Sequence, residues 1–573
     1  MSGIDLPLDY AIRPAKQEAQ RHYGSHPYFT KRAWNVVQEY IKHFSSPGDT
    51  VLDPFGGSGV TAVEALVLRR KAIYVDLNPW ACFLARQTAF APVRMSAIHT
   101  AFADVQDYCK EELEQLWKVS NHKLAERPPQ EWYPKGVHLP DNADAEFVEE
   151  LFTPRMLHGL AKLRAAIMKV KDQESRDLLL MAFSATLVRI NKTFLSATNR
   201  AESRGGSAIF SIYRYKVAKK TVELPLWPQF EQRFRKLVEA KRETNELIGD
   251  FHKDGHNAVF RQGSATELRN WMKPESVDYI YTDPPYGAHI AYLDLSTMWT
   301  AWLKLPLKNE DRKKEVIEGG NQKKSRSDYQ GLLSQSLVEM EHVLRSRGWL
   351  SMVFAHRDTA YWEALVSACE QAGFSYQNTV VQPVGVVWSM HKKKNPLKVL
   401  SGELVLNFQK TPKRRKARPM SSNTDPLMLV RNRCEREILE KTGASTEQLH
   451  HVVVPALLEA GLLEKFSREK SDLVPLLKDH FIFDGDAKLW QLPTVDRLSG
   501  RHEREALVRY FVLRYMAKMN GSEISPGAVC NFVSAAFGAD GKPKLTEIKA
   551  LLHGKTLSAA AQAPRQVEFA FHE

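Results

Sequence analysis

Cysteine is scarce in this 573-residue chain, and the little there is does not pair. Cys82, Cys109, Cys369, Cys434 and Cys530 are scattered without a Cys-x-x-Cys spacing, which excludes a disulfide framework and gives no zinc-ligand pattern. A reducing cytoplasm is the expected compartment. Membrane character is missing as well. Met1–Asp5 carry no basic-then-apolar signal, and no apolar stretch approaches the roughly 20 residues of a membrane span. Acid is short relative to base: 67 Asp and Glu stand against 80 Lys and Arg, a net charge of +13 and a pI near 9.2. A basic protein of this size commonly meets a polyanion, and each cation placed on a phosphate makes binding salt-dependent. Hydrophobic residues are not lacking; at 43% they suffice for two to four folded units.

What is present concentrates in two short runs. Val277-Asp278-Tyr279-Ile280-Tyr281-Thr282 reads as an apolar strand delivering Asp283-Pro284-Pro285-Tyr286-Gly287 at its carboxyl end. That tetrapeptide suits chemistry on a flat amine. An exocyclic amino group on a nucleobase is a poor nucleophile because its lone pair is delocalised into the ring. The Asp283 carboxylate and the Pro284 carbonyl can each accept one of its N–H bonds, Pro285 stiffens the turn by fixing φ, and Tyr286 offers a face on which an extruded base stacks.

The second run lies upstream. Thr50-Val51-Leu52-Asp53-Pro54-Phe55-Gly56-Gly57-Ser58-Gly59-Val60-Thr61 reads as buried strand, glycine-rich turn and a helix opening near Val60. The next strand, Ala72–Val75, ends at Asp76, followed by Asn78 and Pro79. Asp76 stands 23 residues beyond Asp53, close to where doubly wound nucleotide-binding folds place a ribose-binding carboxylate.

With both runs in view, the chain resembles the S-adenosylmethionine-dependent exocyclic-amino DNA methyltransferases, which modify adenine N6 or cytosine N4. The resemblance implies that Asp53, Phe55, Gly56, Gly57 and Gly59 bind the methionine part of the cofactor. It assigns the cofactor ribose to Asp76, places Asn78 among the cofactor-binding residues, and gives catalysis to Asp283, Pro284, Pro285 and Tyr286. His26–Lys31 and the helical stretch Ala33–Phe44 are similar to the segment closing over the cofactor, which adds Tyr28 and Thr30. Asn257–Ala265 resembles the strand that reaches the adenine ring of the cofactor, with Ser264 where the family usually has aspartate. A hydroxyl there makes a weaker bond than a carboxylate. No metal is implied. Asp283 ahead of the two prolines leans toward adenine N6. Cytosine N4, RNA guanine-N2 and a non-catalytic DNA-binding subunit are the alternatives. Cytosine C5 chemistry lacks the Pro-Cys dipeptide those enzymes use.

The expected fold class is α/β: a Rossmann-like methyltransferase fold split by a largely helical insertion, plus a mainly helical, winged-helix-like C-terminal module. The segments are 1–92 with the cofactor loop, 93–255 as insertion and candidate target-recognition region, 256–410 with the catalytic loop, 411–426 as basic linker, and 427–573 as the C-terminal module. Within the insertion, Thr153-Pro154 reads as N-cap and first helical position, and Ser207–Val217 reads as a strand exposing Tyr213, Arg214, Tyr215 and Lys216. Those four suit either base stacking and phosphate contact or a solvated edge strand. Lys410–Arg418 holds six basic residues in nine, among them Lys413, Arg414 and Arg415, and serves either as DNA contact or as solvated chain. In the tail, Asp484-Gly485 signals a hairpin. That turn also explains Asp486-Ala487-Lys488, which otherwise imitates a nuclease Asp-x-Lys core. Expected partners are double-stranded DNA and the proteins of any restriction or phage-defence system it serves, in the cytoplasm at the nucleoid.

Overall fold

The computed structural model describes residues 6–15, 22–195, 206–252, 255–288, 290–383, 403–411, 425–469, 472–519, 524–538 and 541–553. They fall into two compact units, the first drawn from 1–355, 364–394 and 402–415, the second from 356–363, 395–401 and 416–573. Among the described residues no helix is long and apolar enough to cross a membrane.

Seven strands form the sheet of the first unit: β1 (Thr50–Asp53), β2 (Lys71–Asp76), β3 (Ala258–Gln262), β4 (Val277–Thr282), β5 (Leu344–Phe354), β6 (Phe374–Gln382) and β7 (Glu403–Lys410). In space they run β3-β2-β1-β4-β5-β7-β6. β1 to β5 pair in parallel, and β7 lies antiparallel to both β5 and β6. Residues Val51, Leu52, Tyr279 and Ile280 at the β1–β4 seam are buried, as a strand covered on both faces requires. The strand order reverses between β1 and β4. Ligands of open α/β sheets bind outside the carboxyl ends of strands at such a switch point, and the ends here are Asp53 and Thr282.

Three helices pack close to this point: α1 (Trp34–Phe44), α2 (Val60–Val67) and α3 (Pro79–Ala89). Helix α1 buries Val36, Val37, Tyr40, Ile41 and Phe44, the one-face spacing of an amphipathic helix. The insertion adds α4 (Met95–Lys118), α5 (Pro154–Met168), α6 (Gln173–Leu187) and α7 (Leu226–Ile248). Thr153 caps α5, its hydroxyl accepting from the Met156 amide at 3.3 Å with Pro154 at the first position. These helices share a continuous core with the sheet-bearing part of the chain. Trp80 and Trp299 stack with centroids 4.4 Å apart, and both indole N–H groups donate to Ser184 of α6, at 3.1 Å each. From α7, the buried Lys241 ammonium donates to the carbonyls of Thr88 and Phe90 at 3.0 and 2.9 Å, closing the C-terminal end of α3 as a cation there should.

The expected strand over 207–217 is corrected. Only Gly206–Ser207 is extended, paired antiparallel with Phe194–Leu195, and Ala208–Ile212 is a helical turn. Tyr213 then takes a left-handed φ of +55°. Burial overrides the alternation: Ile209 and Tyr215 both enter the core, and Phe210 packs on Phe29 and Trp299 at 5.1 and 5.7 Å. Strand geometry cannot send this set to one side.

The second unit has helices at Pro426–Lys441, Thr446–Glu459, Leu463–Glu469 and Leu473–His480, then a hairpin of Ile482–Asp484 with Leu489–Gln491, then helices at Arg504–Met519, Pro526–Phe537 and Leu545–His553. The Asp484 carboxylate accepts from the amides of Asp486 and Ala487 at 3.0 Å. Asp486 and Lys488 are exposed turn residues, and no metal-holding cluster of acidic, His or Cys side chains exists among the described residues.

Candidate active site

One cleft lies at the switch point, enclosing about 860 Å³, part of it open to solvent. It brings together most of the residues expected to bind cofactor. Tyr28, Thr30, Asp53, Phe55, Gly56, Gly57, Asp76, Asn78 and Ser264 line it, and so do Asp283 and Pro285. Gly59, Pro284 and Tyr286 stand outside that lining.

The β1 loop is built around Asp53. Its carboxylate accepts from the Phe55 amide at 3.1 Å, the Thr61 hydroxyl at 2.7 Å and the Thr282 hydroxyl at 2.8 Å. It therefore ties the end of β1 to the end of β4, while burial pushes its pKa up to about 7. The glycines divide their roles. Gly59 caps α2 at φ +82°, where a Cβ would stand 2.6 Å from the Ala85 Cβ of α3, so it permits close helix packing. Gly56 has no room for a Cβ either, because the Tyr74 ring lies 2.3 Å from that position. Gly57, at φ +49°, turns the chain.

Asp76 ends β2 with Oδ2 accepting from the Gly57 amide at 2.7 Å and Oδ1 from the Asn78 amide at 2.8 Å. Each oxygen keeps a lone pair for a further donor, and burial raises its pKa to about 6. Asn78 serves architecture: it caps α3 by accepting from the Trp80 amide at 3.0 Å and donates to Ser296 at 2.8 Å. The Ser264 hydroxyl likewise caps the short helix after β3, accepting from the Thr266 amide at 3.2 Å and pairing with the Thr266 hydroxyl at 2.8 Å.

Tyr28, Thr30 and Arg32 lie on the irregular segment before α1, and all three line the cleft. Tyr28 stacks parallel to Tyr292 at 6.4 Å, and Thr30 shares a hydrogen bond of 3.0 Å with the Tyr292 hydroxyl. Arg32 reaches the Asp283 loop. Its Nε donates to Asp283 Oδ2 at 2.6 Å and its Nη2 to the Tyr286 hydroxyl at 2.7 Å, while Nη1 pairs with Glu403 at the start of β7. Tyr286 donates to Asp283 Oδ1 at 2.5 Å. Burial raises the Asp283 pKa and Arg32 opposes it. Glu315, also lining the cleft, accepts from the Leu293 amide at 3.0 Å and is pushed up to about 7, chiefly by burial.

Sequence reasoning missed Arg32, Tyr292, Glu315 and Glu403. Arg32 had a usable signal, its place two residues beyond Thr30 in the segment already expected at the cofactor. The other three sit in no motif.

The candidate nucleic-acid residues of the insertion divide. Tyr215 is fully buried and its hydroxyl bonds the Leu295 carbonyl and the Met298 amide, so it presents no face to a base. Arg214 is ion-paired with Asp144, Tyr213 is half-buried against the core, and Lys216 is exposed. Lys413, Arg414 and Arg415 lie outside the described residues.

Residues 10–87, from the amino-terminal segment through most of α3, match the N6_N4_Mtase family model, described as DNA methylase. Over these residues the chain is similar to the DNA methylase family that this model describes. Among its relatives is the Type II methyltransferase M.MvaI of Kocuria varians, 24% identical over 272 residues, which cover 45% of this chain and 52% of that protein. The Type II methyltransferase M.MjaII of Methanocaldococcus jannaschii is 30% identical over 82 residues, 14% of this chain and 16% of that protein. The chain thus spans about half the length, or less, of these curated relatives. The solved rRNA methyltransferase AviRa of Streptomyces viridochromogenes overlays at TM-score 0.22 with 10% identity, covering 72% of this chain and 93% of that one. The family model's span ends before Asp283.

Proposed function

We propose that this protein is a DNA methyltransferase that transfers a methyl group from S-adenosylmethionine to an exocyclic amine of a flipped base, adenine N6 in the first place. The carrying observation is the single cleft shared by the Asp53–Gly57 loop, Asp76 and the Asp283 loop. The donor set suits the cofactor: Asp76 retains an acceptor on each oxygen for a ribose diol, and a cationic ligand meets carboxylates and aromatic rings. When bound, S-adenosylmethionine supplies an electrophilic methyl on a sulfonium. Asp76 would hold the ribose, and the glycine loop with Tyr28 the methionine end.

The chain's own part in transfer is orientation and electrostatics. Asp283 and the Pro284 carbonyl accept the two amine hydrogens and draw the nitrogen toward tetrahedral geometry, and Tyr286 provides the stacking face. DNA as the polymer is supported by the description of the family model, and adenine by Asp283 standing before the two prolines. The insertion, bonded into the same core, is the first candidate for reading DNA sequence, and the C-terminal unit the second. Any restriction or phage-defence role would add partner proteins.

The test is incubation with labelled S-adenosylmethionine and genomic DNA from cells lacking the gene, followed by nucleoside mass spectrometry. N6-methyladenine is expected. N4-methylcytosine would move the assignment to cytosine, and label appearing only in a parallel RNA sample would overturn the DNA reading.

A further inference from the structure

Arg32 occupies the Asp283 carboxylate, the acceptor that the proposed reaction gives to an amine. Its guanidinium offers five donors in a rigid fork, and three directions are taken, by Asp283, Tyr286 and Glu403. Asp283 Oδ2 thereby receives two guanidinium nitrogens and Oδ1 the Tyr286 hydroxyl. Tyr286 is held by its hydroxyl, with its ring edge-on to Phe354 at 5.1 Å. An entering amine competes for the same carboxylate, and a base seeking the Tyr286 face meets a ring already tied down. The three partners are largely shielded: Arg32 and Asp283 are each 17% exposed and Glu403 29%. Releasing a guanidinium into such a site without a partner is strongly unfavourable. Glu403, at the start of β7, is a second carboxylate on Arg32 that belongs to a different element from Asp283.

We propose that Arg32 is a positioning residue that keeps Asp283 and Tyr286 closed on each other, and that it is retained by Glu403 when a base enters, freeing the Asp283 carboxylate to accept the amine. The proposal rests on the reading of the Asp283 loop as the base-methylating loop. The same arrangement keeps Asp283 usable. The charged and titratable groups around it are Arg32, Glu403, Tyr286, Tyr281, Tyr292 and Asp53, and Arg32 is the cation in that set. Without it, burial and the Glu403 charge both favour a protonated Asp283, which can no longer accept from an amine with both oxygens.

The test uses the full chain, labelled S-adenosylmethionine and unmodified genomic DNA, with kcat measured at saturating cofactor across the whole pH range in which the protein stays folded, and cofactor affinity by calorimetry. Glu403→Gln should lower the kcat plateau about tenfold or more, leave cofactor affinity and KM for DNA within about threefold, and move the acid limb to lower pH, because a like charge is gone. Arg32→Ala should move that limb up by about one pH unit or more, so that activity recovers in alkali, with Arg32→Lys between it and the wild type. A wild-type kcat and profile in Glu403→Gln would overturn the handover, and that conservative variant keeps the test decisive if Arg32→Ala does not fold. An unmoved acid limb in Arg32→Lys and Arg32→Ala would overturn the positioning role. No transfer by the wild type to any nucleic acid overturns the parent reading and this one together.

Discussion

Gly56→Ala separates two explanations for a glycine in the β1 loop. If the glycine exists only to let a cofactor approach, a methyl there should affect binding alone. The structure gives it a neighbour instead. A Cβ at Gly56 would stand 2.3 Å and 2.4 Å from two carbons of the Tyr74 ring, against about 3.5–4.0 Å for carbon atoms at their optimum. The gap of over 1 Å cannot open easily. Tyr74 is fully buried, its hydroxyl donates to the Gly57 carbonyl at 2.7 Å, and the Gly56 amide donates to the Val75 carbonyl at 3.0 Å. Overpacking of this kind costs about 1–3 kcal/mol. Whatever part of that strain the free loop relieves by shifting must be restored when cofactor binds, so Kd rises by up to roughly 150-fold. Urea unfolding and calorimetric titration with S-adenosylmethionine should both register it. Gly56→Ala combined with Tyr74→Leu removes the ring carbons in question and should recover part of both losses, a coupling on the order of 1 kcal/mol. A single variant with wild-type stability and affinity, or a double variant whose losses simply add, would refute the packing account.

Two further outcomes follow from the same cleft. Asp76→Ala strips an acceptor from the Gly57 and Asn78 amides and from the ribose, so cofactor affinity should fall about 10- to 100-fold at roughly 1.5–3 kcal/mol for a charged hydrogen bond; unchanged affinity by calorimetry would remove Asp76 from the site. Affinity for S-adenosylmethionine relative to its uncharged-sulfur product should rise between pH 5.5 and 7.5. Asp76, Asp53 and Glu315, with pKa values raised to about 6, 7 and 7, are carboxylates only above those values, and two unit charges about 6 Å apart at an effective dielectric near 20 interact by about 3 kcal/mol. A ratio that stays flat with pH counts against an acidic cofactor site.

The parts of this fold that were legible in the sequence are those where local pattern and tertiary role agree. Val51–Asp53, Lys71–Asp76 and Val277–Thr282 are apolar runs ending in carboxylates or hydroxyls, and they form the strands at and beside the switch point. Thr153-Pro154 opens a helix because capping is a local hydrogen bond. Phe374–Gln382 gave little signal, since the terminal strand of the sheet is mostly half-buried and carries the polar pattern of one-sided exposure. Residues 208–215 misled for the opposite reason: their aromatic side chains are claimed by a core assembled from Phe29, Trp80 and Trp299, which no local period announces. Glu403 and Arg32 lie 371 positions apart in sequence, so their meeting at Asp283 is a product of topology alone.

That topology also sorts charge within a basic protein. The chain carries +13, yet the cleft is lined by Asp53, Asp76, Asp283 and Glu315 against Arg32 and Lys314. Arg32 is already committed to two carboxylates, and Lys314 pairs with Glu267 at 2.7 Å. A phosphate backbone has no counter-charge to gain there, whereas a cationic sulfonium gains one and an uncharged base finds acceptors for its N–H groups. In the proposed reaction the duplex must therefore stay outside while a single base enters. The excess lysine and arginine can act on phosphates only from surfaces beyond the cleft rim. Arg214, paired with Asp144, shows that a basic residue in the insertion is not thereby free for DNA, and exposed Lys216 beside it remains available.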